Sequence, residues 1–424
     1  MECKRKKDKL LWVSHMIPYP PKAGLLNRSY NIIRELSNEY DLDLFCLSQR
    51  QLVEPYFENY SLGVQESIRT LQTYCVNLHI ESKPIVSSFL RKTFLTIKSL
   101  LKKYPYSIEW LSSKSFKKSI ERQLSLSEYD LIYIDTISLI KNIDLKKLHG
   151  KTILIGHHNI ESEMMKRRSF NTKNFAMKTL YWIEYKKLLR IEKKISREID
   201  LNVVCSYDDK KVLDSICETT NSIVVPNGFD FGLIENFKRD PKTNSLLFIG
   251  TMDWYPNVDA ITYFYDDIWK RLKLEVPDIE IDIIGSNPPE RLVKIQENDP
   301  SFRVHGFVED ISNFLSSASV YVCPIRDGGG TKLKLIEAFA HRIPCVANPI
   351  SCEGIEVENM QHVLHASNPD EYVECIKSIL ESRVNGHELA ERAFESIFAK
   401  YNYEKIAKDF TKSVTAYRST KCAE

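Results

Sequence analysis

The segment Gly328-Gly329-Gly330-Thr331-Lys332 has the residue types of a phosphate-binding turn. An apolar run over Val320–Pro324 before it predicts a buried strand, and an apolar-periodic run starting near Thr331 predicts a helix. Glycines let the backbone approach a ligand closely, and Thr331 is a suitable N-cap. The free N–H groups and the positive dipole end of a helix N-terminus attract phosphate. The pattern therefore predicts an anion site at this turn.

Three charged side chains on the predicted helix fit the same ligand. Lys332 and Lys334 bring positive charge to the first turn, and Glu337, one turn further on, can accept hydrogen bonds from ribose hydroxyls. The spacing is neither a Walker A loop nor G-x-G-x-x-G. A flexible glycine-rich turn with solvated lysines explains the same residues, so the residues alone leave both interpretations open.

Two adjacent histidines, His157 and His158, follow a predicted strand over Thr152–Gly156. Adjacent side chains point in different directions, and no His-Glu-x-x-His spacing is present, so we expect no metal site. Ligands of open α/β sheets bind outside the carboxyl ends of the strands. A role for one of these histidines at the strand end is therefore the stronger interpretation.

Two further motifs lie near the N-terminus. Gly24 is predicted in the loop after the first strand, where a glycine either admits a ligand or simply makes a turn. Asp41-Leu42-Asp43 matches the D-x-D pattern of metal-dependent sugar transferases. It opens a predicted strand rather than ending one, so we give it no functional role.

Predicted strands and helices alternate along the chain, which implies parallel pairing with right-handed crossovers. Arg28–Glu39 and Phe175–Ile199 are clear helical stretches. The predicted strands are Leu10–Ser14, Leu42–Leu47, Val76–Ile80, Leu131–Asp135, Thr152–Gly156, Leu201–Cys205, Leu246–Gly250, Ile279–Gly285, Phe302–Val304, Val320–Pro324 and Pro344–Ala347. We predict an α/β protein with two doubly wound parallel-sheet domains.

A turn signal at Pro226-Asn227-Gly228 divides the chain. We predict a first domain over 1–225, an interdomain linker over 226–244 and a second domain over 245–400. A last helical stretch remains within 401–424.

Composition excludes several classes of protein. The 424 residues are 43% hydrophobic and 27% charged, which excludes a disordered chain, and the net charge of +2 does not indicate a nucleic-acid partner. No apolar run approaches the roughly 20 residues that span a bilayer, and the N-terminal apolar run is too short for a signal peptide. The ten cysteines form no C-x-x-C pair. We therefore expect reduced, mostly buried thiols and a cytoplasmic location.

The stretch 83–122 is locally basic, with apolar residues interleaved among its lysines and arginines. Such a segment either touches anionic lipid or forms a solvated helix face over a core stripe. The first interpretation predicts peripheral contact with the inner face of the cell membrane, and both stay open. A second basic stretch, from Lys166 to Arg197, fits the outer face of one long helix.

In their order and spacing, several segments together resemble the GT-B glycosyltransferases, specifically the bacterial group of glycosyltransferase family four. The resemblance spans nearly the whole chain. The segments are Pro18–Arg28 (PYPPKAGLLNR), Asp130–Asp135, Gly156–Asn159, Val224–Asp230 with a Pro-Asn-Gly-x-Asp junction, Phe248–Ala260, Ile284-Gly285, His305–Asp310 and Gly328–Val346 (GGGTKLKLIEAFAHRIPCV).

The resemblance implies two Rossmann-like domains that face each other across a cleft, with a C-terminal helix crossing back to the first domain. The second domain would hold a nucleotide-sugar donor, and the first a glycan or lipid-linked acceptor. Members usually retain the anomeric configuration and need no metal or other cofactor. Most of them build cell-surface polysaccharide, lipopolysaccharide or glycolipid.

Residue matches to the family imply roles on the donor. Glu337 matches the second glutamate of a paired-glutamate motif, which is expected on ribose, and Gly330, Thr331 and Lys332 match the turn that faces the diphosphate. Further donor-binding positions are Gly24 and Gly250, with Phe307 and Val308 in the loop that holds the base.

A histidine near the transferred sugar is also implied, and it matches either His157 or His158. We assign both as catalytic candidates at this stage.

The sequence departs from the family pattern at two places. The first glutamate of the pair falls at Gly329, and the common Arg and Lys pair after the second domain's first strand is replaced by Trp254 and Asn257. Lys332 and Lys334 are the available substitutes for the missing diphosphate charge.

The sequence therefore predicts a retaining, metal-independent hexosyltransferase of surface-glycan assembly. Its partners would be a nucleotide-sugar donor and a glycan or lipid-linked acceptor, without nucleic acid. The alternatives are a non-catalytic GT-B-fold binding partner, which the loss at Gly329 favours, and a nucleotide-sugar epimerase.

Overall fold

The computed structural model describes residues 7–22, 24–82, 102–218, 221–327 and 330–421. These residues form two units. The first contains the chain up to Pro226 together with the residues from Ile406 onward, and the second runs from Asn227 to Lys405. Each unit is built on one parallel sheet with helices in its crossovers, which confirms the predicted fold class.

Seven parallel strands form the sheet of the first unit. They are β1 (Asp8–Ser14), β2 (Tyr40–Ser48), β3 (Asn77–Ser82), β4 (Leu131–Ile134), β5 (Thr152–His157), β6 (Leu201–Val204) and β7 (Ser222–Val224). The helices are α1 (Gly24–Leu36), α2 (Arg50–Val53), α3 (Tyr60–Leu71), α4 (Tyr106–Leu111), α5 (Lys114–Leu126), α6 (Glu161–Asn171), α7 (Phe175–Glu198) and α8 (Tyr207–Cys217). The strand order is β3-β2-β1-β4-β5-β6-β7, so the order reverses between β1 and β4.

Six parallel strands form the sheet of the second unit. They are β8 (Ser245–Ile249), β9 (Glu280–Ile284), β10 (Phe302–Gly306), β11 (Val320–Cys323), β12 (Cys345–Ala347) and β13 (Leu364–His365). The α-helices are α9 (Tyr255–Tyr263), α10 (Lys270–Glu275), α11 (Glu290–Asn298), α12 (Ser312–Ser317), α13 (Leu333–Ala340), α14 (Pro369–Leu380) and α15 (Gly386–Tyr401). The order β10-β9-β8-β11-β12-β13 reverses between β8 and β11.

Strand β11 shows why these apolar runs become central strands. All four of its residues are buried. Val320 and Val322 pack in the core on one face of the sheet, and Tyr321 and Cys323 pack in the core on the other face. Helices therefore cover the strand on both sides, as a continuous apolar run in a parallel sheet requires.

The C-terminal helix α16 (Tyr403–Lys421) leaves the second unit and joins the first. The ring of Phe410 lies 6.3 Å from that of Tyr133. The hydroxyl of Tyr417 donates to Asp200 Oδ1 at 3.2 Å. These contacts confirm the predicted return of the terminal helix to the first domain.

The structure differs from the sequence prediction at short edge strands and at one glycine. β7 has three residues and β13 two, and both lie at a sheet edge, where too few residues carry a pattern to be recognised. Gly24 was predicted in a loop but is the first residue of α1. The prediction was wrong because α1 starts one turn before Arg28. Leu26 in that added turn is buried, as is Tyr30 in the turn that follows.

The described cysteines are all free thiols, and seven of these eight are buried. Within the described residues, no helix is both long and apolar enough to cross a membrane.

Candidate functional site

One candidate site lies at the carboxyl ends of β8 and β11, where the strand order of the second unit reverses. This is where open α/β sheets bind ligands. Gly250 follows β8 directly. A Cβ atom at Gly250 would overlap the ammonium group of Lys334 and lie 2.9 Å from Asn257 Nδ2. Only glycine leaves room here for the ammonium group of Lys334. Gly250, Asn257 and Lys334 therefore pack directly against one another.

Lys334 makes no salt bridge with any described residue. It is the second residue of α13, and its Nζ donates to Asn257 Oδ1 at 2.5 Å and lies 4.7 Å from the ring centroid of Phe248. No carboxylate of the described residues pairs with it. Burial lowers the pKa of Lys334 to about 8, because the surroundings disfavour the charged form. An anionic ligand would supply the missing charge.

Glu337 lies one turn after Lys334 and is also unpaired. Its carboxylate accepts no hydrogen bond from the described residues, whereas its backbone carbonyl accepts one from His341. Burial raises the pKa of Glu337 to about 7, and the charge of Lys334 opposes that rise. A partly buried carboxylate with free acceptor positions suits a ligand hydroxyl.

The turn before α13 differs in detail from the prediction. The helix begins at Leu333 with Lys332 as its N-cap residue, so the predicted start and N-cap at Thr331 were wrong. Thr331 Oγ1 is instead buried and has no hydrogen-bond partner in the described chain. Lys332 Nζ donates to the carbonyl of Gly330 at 2.9 Å, a turn in which Gly330 has φ +77°. Gly329, like Gly328, lies outside the described residues.

The loop after β10 carries the predicted base-binding residues. β10 is two strands from β8, or about 10 Å at the usual strand spacing. Gly306 reverses the chain with φ +68°. The Phe307 side chain is 68% exposed, and Val308 packs against the core. Val308 therefore anchors the loop, and the neighbouring Phe307 side chain is exposed to solvent.

A second candidate site lies in the first unit, where the structure separates the two histidines. His157 ends β5, is buried, and pairs through Nε2 with Asn202 Oδ1 on β6 at 3.0 Å. Burial lowers the pKa of His157 to about 4. It is a neutral residue of the sheet interior, as expected for a strand residue between two neighbours.

His158 lies one residue further, beyond the strand end, and faces Asp135. Its Nε2 is 3.2 Å from Asp135 Oδ1. Desolvation opposes protonation, yet the negative charge of Asp135 prevails and raises the pKa of His158 to about 9. His158 is therefore a cation at neutral pH, which donates hydrogen bonds and does not act as a base.

Asp135 joins the carboxyl ends of three neighbouring strands. It follows β4, is fully buried, and accepts a hydrogen bond from Ser14 Oγ at 3.1 Å. His15, which follows β1, places Nδ1 3.2 Å from Asp135 Oδ2. The two histidines hold the pKa of Asp135 far below its usual value despite its burial. His15, Asp135 and His158 therefore form one charged cluster at the β1/β4 switch point.

The same three residues are the one described group whose side-chain atoms are arranged to hold a metal ion, with their ligand atoms within 4.8 Å of one another. A metal requires neutral imidazole. In this structure each histidine instead faces its own oxygen of Asp135, and His158 is held protonated. Ion pairing therefore accounts for the cluster, and the expected absence of a metal stays a prediction.

Sequence reasoning missed His15 and Asp135 as site residues. Both directly follow predicted strands, so the rule that polar residues at carboxyl ends form sites would have found them. The D-x-D motif lies at the start of β2, and its lack of a functional role stays a prediction. Asp43 lies inside the sheet, where it accepts hydrogen bonds from Asn77 at 2.9 Å and from Tyr129.

Residues 243–382 match the family model of glycosyl transferases group 1. This range contains Gly250, Asn257, the turn before α13 and Glu337. The matched range lies within the second unit.

Other known proteins are similar to this chain over nearly its whole length. The chain is 21% identical over 408 residues to an uncharacterised 44.6 kDa protein in the cps region of Klebsiella pneumoniae, covering 94% of this chain and 97% of that protein. A sucrose-phosphate synthase from Thermosynechococcus elongatus has the same fold, with a TM-score of 0.65, 16% identity, and coverage of 98% of this chain and all of that one. HepE from Anabaena, solved in complex with UDP, has a TM-score of 0.60 at 13% identity over 96% of this chain and all of that one.

These matches confirm the resemblance to the GT-B glycosyltransferases and the GT-B fold of the chain. Assignment to family four stays a prediction, and so do the roles of the individual donor-binding residues.

Proposed function

We propose that this protein transfers a hexose from a nucleoside-diphosphate sugar to a glycan or lipid-linked acceptor, with retention of configuration. The observation that carries the proposal is the pair of unpaired charges on α13, Lys334 and Glu337, at the switch point of a group 1 glycosyltransferase domain. The diphosphate of a donor would pair with Lys334, and its ribose hydroxyls would donate to Glu337.

The diphosphate is both the bound group and the leaving group. It departs with the electron pair of the sugar C1–O bond, and its developing charge needs fixed positive groups nearby. Lys334, Lys332 and the free N–H groups at the start of α13 provide them. The buried hydroxyl of Thr331 adds a donor that has no partner among the described residues.

In this proposal the base and the ribose of the donor bind next to the diphosphate site at the start of α13. Glu337 accepts the ribose hydroxyls, and the loop at Phe307 and Val308 borders the base. UDP is the first nucleotide to test, because the HepE structure of the same fold contains it.

His158 is the group that we assign to the sugar, and His157 is not. His158 lies at the strand end and is a cation at neutral pH, whereas His157 is enclosed in the sheet. Its role is to donate a hydrogen bond to a sugar hydroxyl. No general base is assigned.

The match to a protein of a cps (capsule) region supports a role in surface polysaccharide synthesis. The product would then be a glycan of the cell envelope, and the acceptor a growing glycan or its lipid carrier.

Binding and sugar release test the proposal separately. Titration calorimetry with UDP, GDP, ADP and dTDP identifies the base. The affinity should fall as pH rises through about 8, because Lys334 loses its proton there, and Lys334→Ala should lack this dependence. The exposed Lys294, on α11, provides a matched control as Lys294→Ala.

Slow hydrolysis of the matching nucleotide sugar by purified protein then distinguishes an enzyme from a binding module. Nucleotide binding without any sugar release would support the binding module. Failure to bind every nucleoside diphosphate would contradict the donor site itself.

A further inference from the structure

Helices α6 and α7 form a hairpin whose tip, residues 164–183, exposes large apolar side chains. Phe170 is 61% exposed, Phe175 82% and Trp182 41%. The rings of Phe170 and Trp182 meet edge to face at 6.3 Å, so they belong to one surface. Adjacent exposed aromatic residues mark an interaction surface more often than isolated ones do.

The charge of this hairpin tip has one sign. No acidic residue lies between Glu163 and Glu184. The basic residues in between are Lys166, Arg167, Arg168, Lys173 and Lys178. Glu163 pairs with the first two, at 3.1 and 3.5 Å.

The other three cations have no carboxylate partner among the described residues. They are Arg168, Lys173 and Lys178, and all three are exposed. The positive field of the tip is therefore not neutralised by the protein itself.

The hairpin starts close to His158. α6 begins there, just after β5, and the backbone N–H of Ser162 donates to Glu192 Oε1 at 3.1 Å. Residue 192 of α7 is thus level with the start of α6, while Phe170 and Trp182 meet near the turn. The 11 residues of α6 place the tip about 16 Å from the start of this helix.

We propose that the hairpin tip docks on an anionic membrane surface, with Phe175 in the interfacial layer and Arg168, Lys173 and Lys178 on lipid headgroups. Aromatic residues favour the membrane–water interface, and free lysines and arginines favour anionic lipid. Lys186 Nζ lies 4.8 Å from the Trp182 ring centroid and adds a further cation behind the aromatic surface. Two copies meeting tip to tip would bring like charges together, which disfavours self-association.

The other basic stretch, 83–122, is a weaker docking surface where the structure describes it; residues 83–101 lie outside the described chain. Lys102 pairs with Glu109, which also pairs with Lys141 at 2.6 Å. The free lysines there, Lys114, Lys117 and Lys118 on α5, have no large exposed aromatic residue among them. They serve as a matched comparison.

Docking by the tip goes beyond the proposed transfer and does not rest on it. If both hold, the start of α6 next to His158 lies about 16 Å from the docked tip, within reach of a lipid-linked acceptor.

Sedimentation of the full-length protein with vesicles tests the docking. We expect binding to phosphatidylcholine vesicles that contain phosphatidylglycerol, weakening as salt is added, and no binding to phosphatidylcholine alone. Arg168→Gln/Lys173→Gln/Lys178→Gln should weaken binding about 100-fold, at about fivefold for each cation. Lys114→Gln/Lys117→Gln/Lys118→Gln removes the same charge and should weaken it far less.

A second pair of variants tests the aromatic contact. Phe175→Ser should weaken vesicle binding without changing the unfolding temperature, because the side chain is 82% exposed. Phe175→Trp should show a blue shift of its emission when anionic vesicles are added. UDP affinity should be unchanged in each variant, so loss of docking is distinguishable from loss of the donor site.

Three results would overturn the proposal. The first is an equal loss of vesicle binding in the two triple-glutamine variants. The second is binding of the wild type to phosphatidylcholine alone or to no vesicle. The third is a concentration-dependent dimer that Phe175→Ser abolishes. The last result would assign the tip to a second copy of the chain.

Discussion

The two units repeat one strand order, yet their switch points are in opposite electrostatic states. In the first unit the carboxylate of Asp135 is compensated by His15 and His158, so the charges are satisfied within the protein. In the second unit Lys334 and Glu337 have no ionic partner among the described residues. The same topology thus produces an internally balanced cluster at one edge and an unbalanced one at the other.

The pKa values express this difference. Pairing prevails over burial at His158, whose pKa rises to about 9. Burial prevails at Lys334 and Glu337, whose pKa values move to about 8 and about 7, each toward the neutral form. An unbalanced site gains most from a charged ligand, so we expect tight anion binding in the second unit and a positioning role in the first.

Replacing Lys334 is expected to have the largest effect. Lys334→Ala should lower turnover about 100-fold or more, as loss of one preorganised donor to a developing charge does. Lys334→Met, which keeps the length of the side chain, should be equally impaired. Steady-state kinetics with the matching nucleotide sugar measures both, and unchanged kinetics would reject the substitute role of this lysine.

Removing the charge of Asp135 tests the balanced cluster. The folded pKa of His158 lies above the ordinary 6.5, so the stabilisation is complete below about pH 6.5 and disappears as pH rises through about 9. Asp135→Asn should therefore cost about 3 kcal/mol at pH 6 and flatten the pH dependence of unfolding over that window. Thermal unfolding from pH 6 to 10 measures this.

Asp43→Asn is the control for that experiment, because Asp43 is another buried carboxylate of the same sheet and pairs with neither histidine. It should keep the wild-type slope between pH 6.5 and 9. If Asp135→Asn keeps that slope as well, the cluster does not hold His158 protonated.

A smaller effect is expected from crowding the lysine head. Gly250→Ala should lower UDP affinity about tenfold, because the new Cβ displaces Lys334 from its place beside Asn257. In Gly232→Ala the new Cβ would meet only Asp230 Oδ1, at 3.3 Å, and affinity should stay at the wild-type value. Calorimetry compares the two, and equal affinities would separate Gly250 from the donor site.

Metal removal should have no effect. Incubation with EDTA should leave turnover unchanged, and elemental analysis of the purified protein should find no stoichiometric metal. A stoichiometric metal that is lost in His15→Ala would instead assign the cluster of His15, Asp135 and His158 to a cation.

The sequence predicted the elements better than their contacts. Continuous apolar runs such as the one that became β11 are recognisable because burial on both faces leaves no polar position. The two-residue β13 carries no such pattern. The start of α13 was misplaced by two residues, because Thr331 has the chemistry of an N-cap although its hydroxyl is buried without a partner.

The candidate site of the second unit was predictable, and that of the first unit only partly so. The residues of the former lie mostly in one segment, 330–337, so their spacing can be read directly. In the first unit His15, Asp135 and His158 are separated by more than a hundred residues from end to end, and only the pairing of β1, β4 and β5 makes them neighbours.

By itself, the sequence determined the alternation of strands and helices, the two-domain division near Pro226 and the chemical types available on α13, since each depends on residues close together in the chain. The tertiary structure alone decided which charges are balanced. It enclosed His157 in the sheet and left His158 at the strand end, brought Asp135 between two histidines, and placed Lys334 beside Gly250 with no salt bridge to a described residue. The physical reason is that a pKa depends on burial and on charges a few ångströms away, and both are set by strands that are distant in sequence.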